Sequence, residues 1–443
     1  MRLAWRDLGT PRADRAHGKT VEISGWPATA VPRPGADYFL LTSDVACCAG
    51  CLPRNPRVTI EVFADRDIAF GDGPLRLGGT FQVTDDATGW RYQLRDARPI
   101  GLGRRTLLAA SPLLCLPVPA IAEPPTGLTV DMHSHAGQVL YVRSQNGNYP
   151  FSPVAEPMRQ GGMAVICLAT VADSPTTHVT EGRIRPYREP KPGELYAHAQ
   201  LAFARLHRLA REQDLAIIRK AAELAVTRAD RPSIIVSSEG GDFLEGRPER
   251  VDEAYDKWQL RHLQLTHYRP NELGDIQTEP AVHDGLTPAG AEVIRRCNRL
   301  GVVVDVAHGT YELVKKAAAV SSKPLVLSHT SLSERPVAWT RLITPDHARA
   351  VASTGGVIGI WPVKHLFGTY RSYADGFARM VDVVGIDHVG LGTDQMGLLG
   401  ASTLPSYADL PQLAAALRAR FTAEETAKLL GGNYQRVFAA SLA

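Results

Sequence analysis

Residues 285–308 read GLTPAGAEVIRRCNRLGVVVDVAH, and this stretch decides the fold. Thr287 stands where a helix cap belongs, and Pro288 follows at the first helical position, where its fixed φ and missing N–H do no harm. Val293, Ile294, Cys297 and Leu300 recur at three- and four-residue spacing and give the helix one apolar stripe. Gly301 is the C-terminal stop. The next residues, VVVDV, are a short apolar run of the kind buried in a parallel sheet. A helix that feeds straight into a buried strand is one unit of an α/β protein.

The same alternation extends in both directions. Apolar strand-like runs occur at 128–131, 164–170, 233–237, 262–265, 302–306, 325–327, 356–360 and 389–392, with helical connections between them. Eight such units predict a (β/α)8 TIM-type barrel over residues 127–443. Residues 1–100 read differently. Short alternating runs at 21–24, 38–41, 58–63, 75–83 and 90–94 lie between Gly, Pro and Asp clusters, which predicts a small all-β, OB-like domain or a sandwich. Between the two lies a Pro-rich apolar linker, 101–126. Its TLLAASPLLCLPVPAIA follows Arg104 and Arg105 and ends in Ala120-Ile121-Ala122. A basic pair, an apolar run and an A-x-A end have the form of a twin-arginine export signal, here internal and so a relict or an alternative start. Use of that signal would place the protein in a bacterial cell envelope or periplasm; otherwise it is cytoplasmic.

Composition narrows the function. A net charge of +3 over 443 residues supplies no basic face for nucleic acid. No uninterrupted apolar run reaches the roughly 18 residues of an integral membrane span. The six cysteines do not form a disulfide framework. Cys47, Cys48 and Cys51 are crowded enough to bind a metal or do redox chemistry, or are simply reduced loop cysteines.

Chemistry in such a barrel sits at the C-terminal ends of the strands. His133 and His135 end the first strand, Glu239 the third, His267 the fourth, His308 the fifth, His329 the sixth and Asp394 the eighth. Five of the chain's 14 histidines therefore fall at strand ends. Alone, each has an ordinary reading as a hydrogen-bonded rim residue or a helix cap; together and in this order they predict a metal site. Residues two apart on a strand face the same way, so His133 and His135 can grip one metal. Glu239 can bridge to a second, held by His308 and His329. Two divalent ions are expected, with zinc favoured and manganese, cobalt or iron compatible with the same donors.

These residues lie in motifs that resemble the membrane (renal) dipeptidase family, peptidase family M19, within the amidohydrolase-like hydrolases. The matching segments include MRQGGMA (158–164), SSEGG (237–241), LQLTHYRPNELGD (263–275), the 285–308 stretch, KPLVLSHTS (323–331), VGIDHVGLGTD (384–394) and GGNYQRVF (431–438). The resemblance implies a metal-dependent dipeptidase acting on dipeptides with a free C-terminal carboxylate. It implies that His133 and Asp394 stand at one metal and His308 and His329 at the other, with Glu239 between. It further implies that Asp394 is the acid/base, that His267 polarises the scissile carbonyl, and that Arg341 binds the substrate carboxylate. Three positions depart from the family pattern. His135 replaces the usual aspartate of H-x-D, Asp242 stands where GGH is usual, and DQMG replaces D-F-D-G after the eighth strand.

Another amidase or a lactonase using the same site is the nearest alternative. A binding or scaffold protein acting through the N-terminal domain is the alternative from another class, and the intact ligand set argues against it. A homodimer is the assembly left open.

Overall fold

The computed structural model describes all residues except 29–34, 44–58, 71–72, 85–91, 101–123, 126, 143–148, 181 and 334–339. The cysteine cluster and the apolar linker segment therefore lie outside the described residues. The chain divides into two compact units, Met1–Ala120 with Leu399–Ala401 and Ile121–Leu398 with Ser402–Ala443.

In the first unit, β1 (Thr20–Ala28), β2 (Gly35–Thr42), β3 (Thr59–Ala69), β4 (Leu75–Val83) and β5 (Tyr92–Pro99) close a barrel in the order β1-β2-β3-β5-β4. Only β3 and β5 pair in parallel; the other neighbours are antiparallel. Each of the five predicted runs overlaps one strand. Alternation explains the closure: Val21 and Ile23 on β1, and Ile60 and Val62 on β3, turn inward onto Leu41, Leu77, Phe81 and Leu94.

In the second unit, eight parallel strands close on themselves: β6 (Val130–Ser134), β7 (Val165–Val171), β11 (Ser233–Glu239), β12 (Leu260–Gln264), β13 (Val303–Asp305), β14 (Val326–Thr330), β15 (Val357–Ile360) and β16 (Val389–Leu391). Pairing of β16 with β6 and of β7 with β11 completes the ring. All eight predicted runs are barrel strands. Three short strands are additions: β8 (Thr177–Thr180) and β9 (Arg183–Pro186) form a hairpin after β7, and β10 (Ala216–Ile217) adds to the start of β11.

The helix between β12 and β13 runs Pro288–Leu300 and follows its sequence signals closely. Thr287 Oγ1 accepts from the Gly290 amide at 3.0 Å, Gly301 takes φ +77°, and Val293, Ile294 and Cys297 are buried. Glycine fixes the barrel interior where β14, β15 and β16 approach. A Cβ on Gly359 would stand 1.8 Å from the Ser328 carbonyl oxygen and 2.8 Å from Met132 Cε. Ser328 is next to His329, so this approach sets the position of a functional strand end. Among the described residues, no helix is long and apolar enough to cross a membrane.

Gly359→Ala is expected to lower the unfolding free energy of the barrel by about 3 kcal/mol, the upper end for overpacking a close-packed interior. Chemical denaturation with circular dichroism measures it; an unchanged midpoint contradicts this account of β15.

Candidate metal centre

Glu239 ends β11 and is 3% exposed. It caps no helix. Instead its carboxylate faces five imidazoles, with Oε1 3.4 Å from His133 Nε2, 3.2 Å from His308 Nε2 and 3.5 Å from His329 Nε2. Oε2 is 3.1 Å from His135 Nε2 and 3.2 Å from His267 Nε2. Asp394 Oδ1 lies 3.5 Å from His135 Nε2. The seven strand-end residues predicted from the sequence thus come together at one end of the barrel.

The donors group into three overlapping sets: His133, His135 and Asp394; His133, Glu239 and His329; Glu239, His267 and His308. His133 Nε2 and His135 Nε2 are 3.1 Å apart, and so are His308 Nε2 and His329 Nε2. Facing nitrogens this close repel unless a proton or a cation stands between them. Second hydrogen bonds settle which nitrogen faces inward. Nδ1–H of His135 donates to the Ala169 carbonyl at 2.9 Å, so Nε2 presents its lone pair to the centre. His329 Nδ1 is 2.9 Å from Ser328 Oγ. With Glu239 and Asp394, these Nε2 atoms are donors a divalent cation can use, and the residues fit one.

Electrostatics agree. Burial pushes Glu239 toward its neutral acid, but His267, His133 and His135 outweigh it and hold the carboxyl well below its usual value. Burial holds His308 and His329 well below the usual imidazole value, and lowers His133 as well, which favours neutral ligands. Burial raises Asp394 to about 7, against the pull of His135. His267 goes the other way. Burial opposes its charge, yet Asp173 and Glu239 raise it to about 9.

Backbone geometry aims the ligands. His308 and Asp394 sit at φ +68° and +50°, left-handed conformations that cost roughly 1 kcal/mol or more each and persist where the surroundings hold them. The Asp394 amide donates to the His133 carbonyl at 2.9 Å, and the His135 amide donates to the Gln395 carbonyl at 2.8 Å. Asp394 is thereby fixed beside the His133–His135 pair.

Three buried acids that the sequence reading did not single out support the ligands. Asp131 accepts from the amides of His133 and Thr393 and from the hydroxyls of Thr393 and Tyr407, which ties β6 to the end of β16. Asp305 accepts from the amides of Ala307 and Ser328 and faces His262 Nε2 at 3.2 Å, which ties β13 to β14. An acid inside an apolar strand run, two or three residues before a histidine, was the available signal for both. Asp173 follows β7 and accepts from His267 Nδ1 at 2.7 Å and from the Tyr268 amide at 3.0 Å. No motif marks it.

The remaining predicted position is Arg341. Its Nη2 donates to the His329 carbonyl at 3.2 Å and its Nη1 to Gln277 Oε1 at 3.0 Å. Its Nε is buried without a partner among the described residues. Asp242, one of the departures, is fully buried and paired with Arg269 Nη1 at 2.9 Å and Asn271 Nδ2 at 3.1 Å, which is a scaffold role.

A (β/α)8 barrel with a histidine–carboxylate cluster at its strand ends belongs to the class of metal-site barrels. A family model for membrane dipeptidases (peptidase family M19) matches residues 158–442, and the chain belongs to that family. Dipeptidase verJ of Clonostachys rogersoniana is 29% identical over 222 residues, 48% of this chain and 56% of the relative. The chain thus spans about half the length of the curated relatives it matches. In fold, it is similar to a metallo peptidase from Rhodobacter sphaeroides liganded with a phosphinate mimic of the dipeptide L-Ala-D-Ala, with TM-score 0.62, 20% identity, and coverage of 71% of this chain and 99% of that one. It is likewise similar to dipeptidase AC, a family M19 metallo peptidase, with TM-score 0.61, 21% identity, and coverage of 71% and 98%.

Glu239→Gln is expected to abolish retention of divalent metal through dialysis, measured by elemental analysis of the folded protein. His135→Asp is expected to retain metal and to shift preference from zinc toward manganese, because a carboxylate oxygen replaces an imidazole nitrogen. Equal metal content in wild type and Glu239→Gln contradicts the assignment of Glu239.

Proposed function

We propose that this protein is a binuclear metallo-dipeptidase that cleaves dipeptides carrying a free C-terminal carboxylate. The observation that carries the reading is the convergence of five imidazoles on Glu239, with Asp394 beside them, in a chain of the M19 family. His133, His135 and Asp394 would hold one ion and His308 and His329 the other, with Glu239 between. Zinc is the ion the donors favour. When bound, such a pair supplies a polarised carbonyl and an acidified water.

The chain's own residues supply the rest. Asp394, raised to about 7 by burial, can take a proton from the attacking water at a carboxylate oxygen and return it to the leaving amine. His267 has Nδ1–H committed to Asp173, so its Nε2 donates a hydrogen bond only as imidazolium, the form Asp173 and Glu239 favour. A cationic donor there suits the oxyanion that develops on the carbonyl. Arg341 is buried, no carboxylate of a described residue lies within ion-pair distance of it, and it adjoins His329; it suits the substrate carboxylate. Thr393, Tyr407 and backbone amides hold Asp131 in place behind the His133 side of the site.

Chelation should abolish hydrolysis of a free dipeptide, and zinc or manganese should restore it. Asp173→Asn is expected to lower kcat/KM by roughly 10- to 100-fold, the usual cost of losing a supporting partner of a site histidine. Arg341→Ala is expected to cost about 1.5–3 kcal/mol, or roughly 10- to 100-fold in kcat/KM, on free dipeptides and little on amidated ones. Steady-state kinetics on matched free and amidated dipeptides measures both; a fully metallated wild type inactive on every dipeptide overturns the reading.

A further inference from the structure

Arg341 meets the site histidines twice: directly at the His329 carbonyl, and at the His308 backbone through one side chain outside the ligand set. Gln277 lies in the long connection after β12, and its amide N–H and both ends of its side-chain amide are engaged. Its amide donates to the His308 carbonyl at 2.8 Å, its Nε2 donates to the Leu342 carbonyl at 3.0 Å, and its Oε1 accepts from Arg341 Nη1 at 3.0 Å. One residue therefore touches the backbone of a ligand histidine, the backbone next to Arg341, and the guanidinium itself.

The connection that carries Gln277 is held rigidly. Asp275 accepts from the amides of Val282, His283 and Gly285 at 2.7–3.1 Å, which folds the segment on itself. Glu279, 8% exposed, takes a two-pronged pair from Arg185 Nε and Nη2 of the β8–β9 hairpin at 2.8 and 2.9 Å. Arg183 of the same hairpin donates to the Thr278 carbonyl. Gln277 is thus flanked by two anchored points.

The chemistry of the contact matters as much as its position. The acceptors on Arg341 are the Gln277 amide oxygen and the His329 carbonyl, both neutral. Among the described residues the guanidinium makes no ion pair; Glu239, Asp394 and Asp305 act on it only from farther away, so its contacts leave its charge free to meet a ligand carboxylate directly. A glutamate at 277 would keep the length and the acceptor while cancelling that charge. Glutamine orients the arginine and leaves it hungry for an anion.

We propose that Gln277 is the positioning residue that sets selectivity for a free carboxylate one residue beyond the scissile bond. It does so by holding an Arg341 that makes no ion pair at fixed separation from the His308–His329 pair. The inference rests on the dipeptidase reading given above. It assigns to the β8–β9 hairpin and the 275–286 connection the task of preorganising that separation, which lowers the ordering cost of binding.

The test compares metallated wild type, Gln277→Glu, Gln277→Met and Arg341→Ala on a free dipeptide and its C-terminal amide, with metal content and thermal midpoint as fold controls. Gln277→Glu should reduce the preference for the free acid by about tenfold or more, the worth of one charge-assisted hydrogen bond. Gln277→Met, of similar length and without the acceptor, should raise KM for the free acid more than it lowers kcat. It also reads the same point if the glutamate variant folds poorly. Preference lost in Arg341→Ala but kept in both Gln277 variants overturns the role of Gln277 alone. A wild type without preference, or an Arg341→Ala variant that keeps it, overturns the carboxylate reading and this inference together.

Discussion

A buried carboxylate surrounded by imidazoles is the constraint on which the rest of the barrel depends. Glu239 is closed off from water, and an isolated charge there would cost several kcal/mol. Five imidazole nitrogens lie within 3.5 Å, and the pull of His267, His133 and His135 outweighs that cost, while burial holds His308 and His329 well below the usual imidazole value as lone-pair donors. Lone pairs and an anion directed at one volume are balanced only by positive charge placed among them. Binding of cations and stability of the strand ends are therefore one equilibrium, since whatever binds the folded site stabilises it.

The acids behind the ligands divide the work by strand. Asp131 closes the seam between β6 and β16, where His133, His135 and Asp394 arise. Asp305 closes the seam between β13 and β14, where His308 and His329 arise. Asp173 reaches across from β7 to His267. Each is a charge placed where backbone amides or an imidazole N–H satisfy it, so each resists movement of the group it holds. His135 fits this frame with its Nδ1–H on the Ala169 carbonyl. Replacing an aspartate by a neutral imidazole leaves Glu239 and Asp394 as the only carboxylates among the proposed ligands, so the set offers less negative charge to harder cations.

The barrel was legible because buried parallel strands are written as short apolar runs, and six of the eight runs here are followed by a histidine or an acid of the cluster. The five short N-terminal strands were legible through alternation and turn residues. Thr287, Pro288 and Gly301 marked a helix with local chemistry alone. What escaped the sequence is what depends on distant contacts. Asp173 sits before a Ser-Pro turn and meets His267 across 94 positions. Gln277 contacts Arg341 across 64. The β8–β9 hairpin is too short and too polar to stand out from a loop, and its value lies in arginines whose partner is Glu279. The roles of His267 and Arg341 came through the family resemblance, because a lone histidine and a lone arginine carry no spacing signal.

Selectivity in such a site follows from what is left unsatisfied. Arg341 has a buried Nε without a partner among the described residues, and only neutral acceptors on its other nitrogens. A ligand that ends in a carboxylate at the right distance pairs this charge. A ligand that ends in an amide, or continues as a chain, brings no charge and leaves a buried guanidinium without an ion-pair partner. The discrimination is therefore asymmetric: the cost of the wrong ligand is the desolvated cation it fails to meet, added to any contact it loses. In the dipeptidase reading proposed above, fixing Arg341 through Gln277 to the His308 backbone turns that cost into a length requirement, because a carboxylate held nearer to or farther from the His308–His329 pair misses either the arginine or the reacting centre.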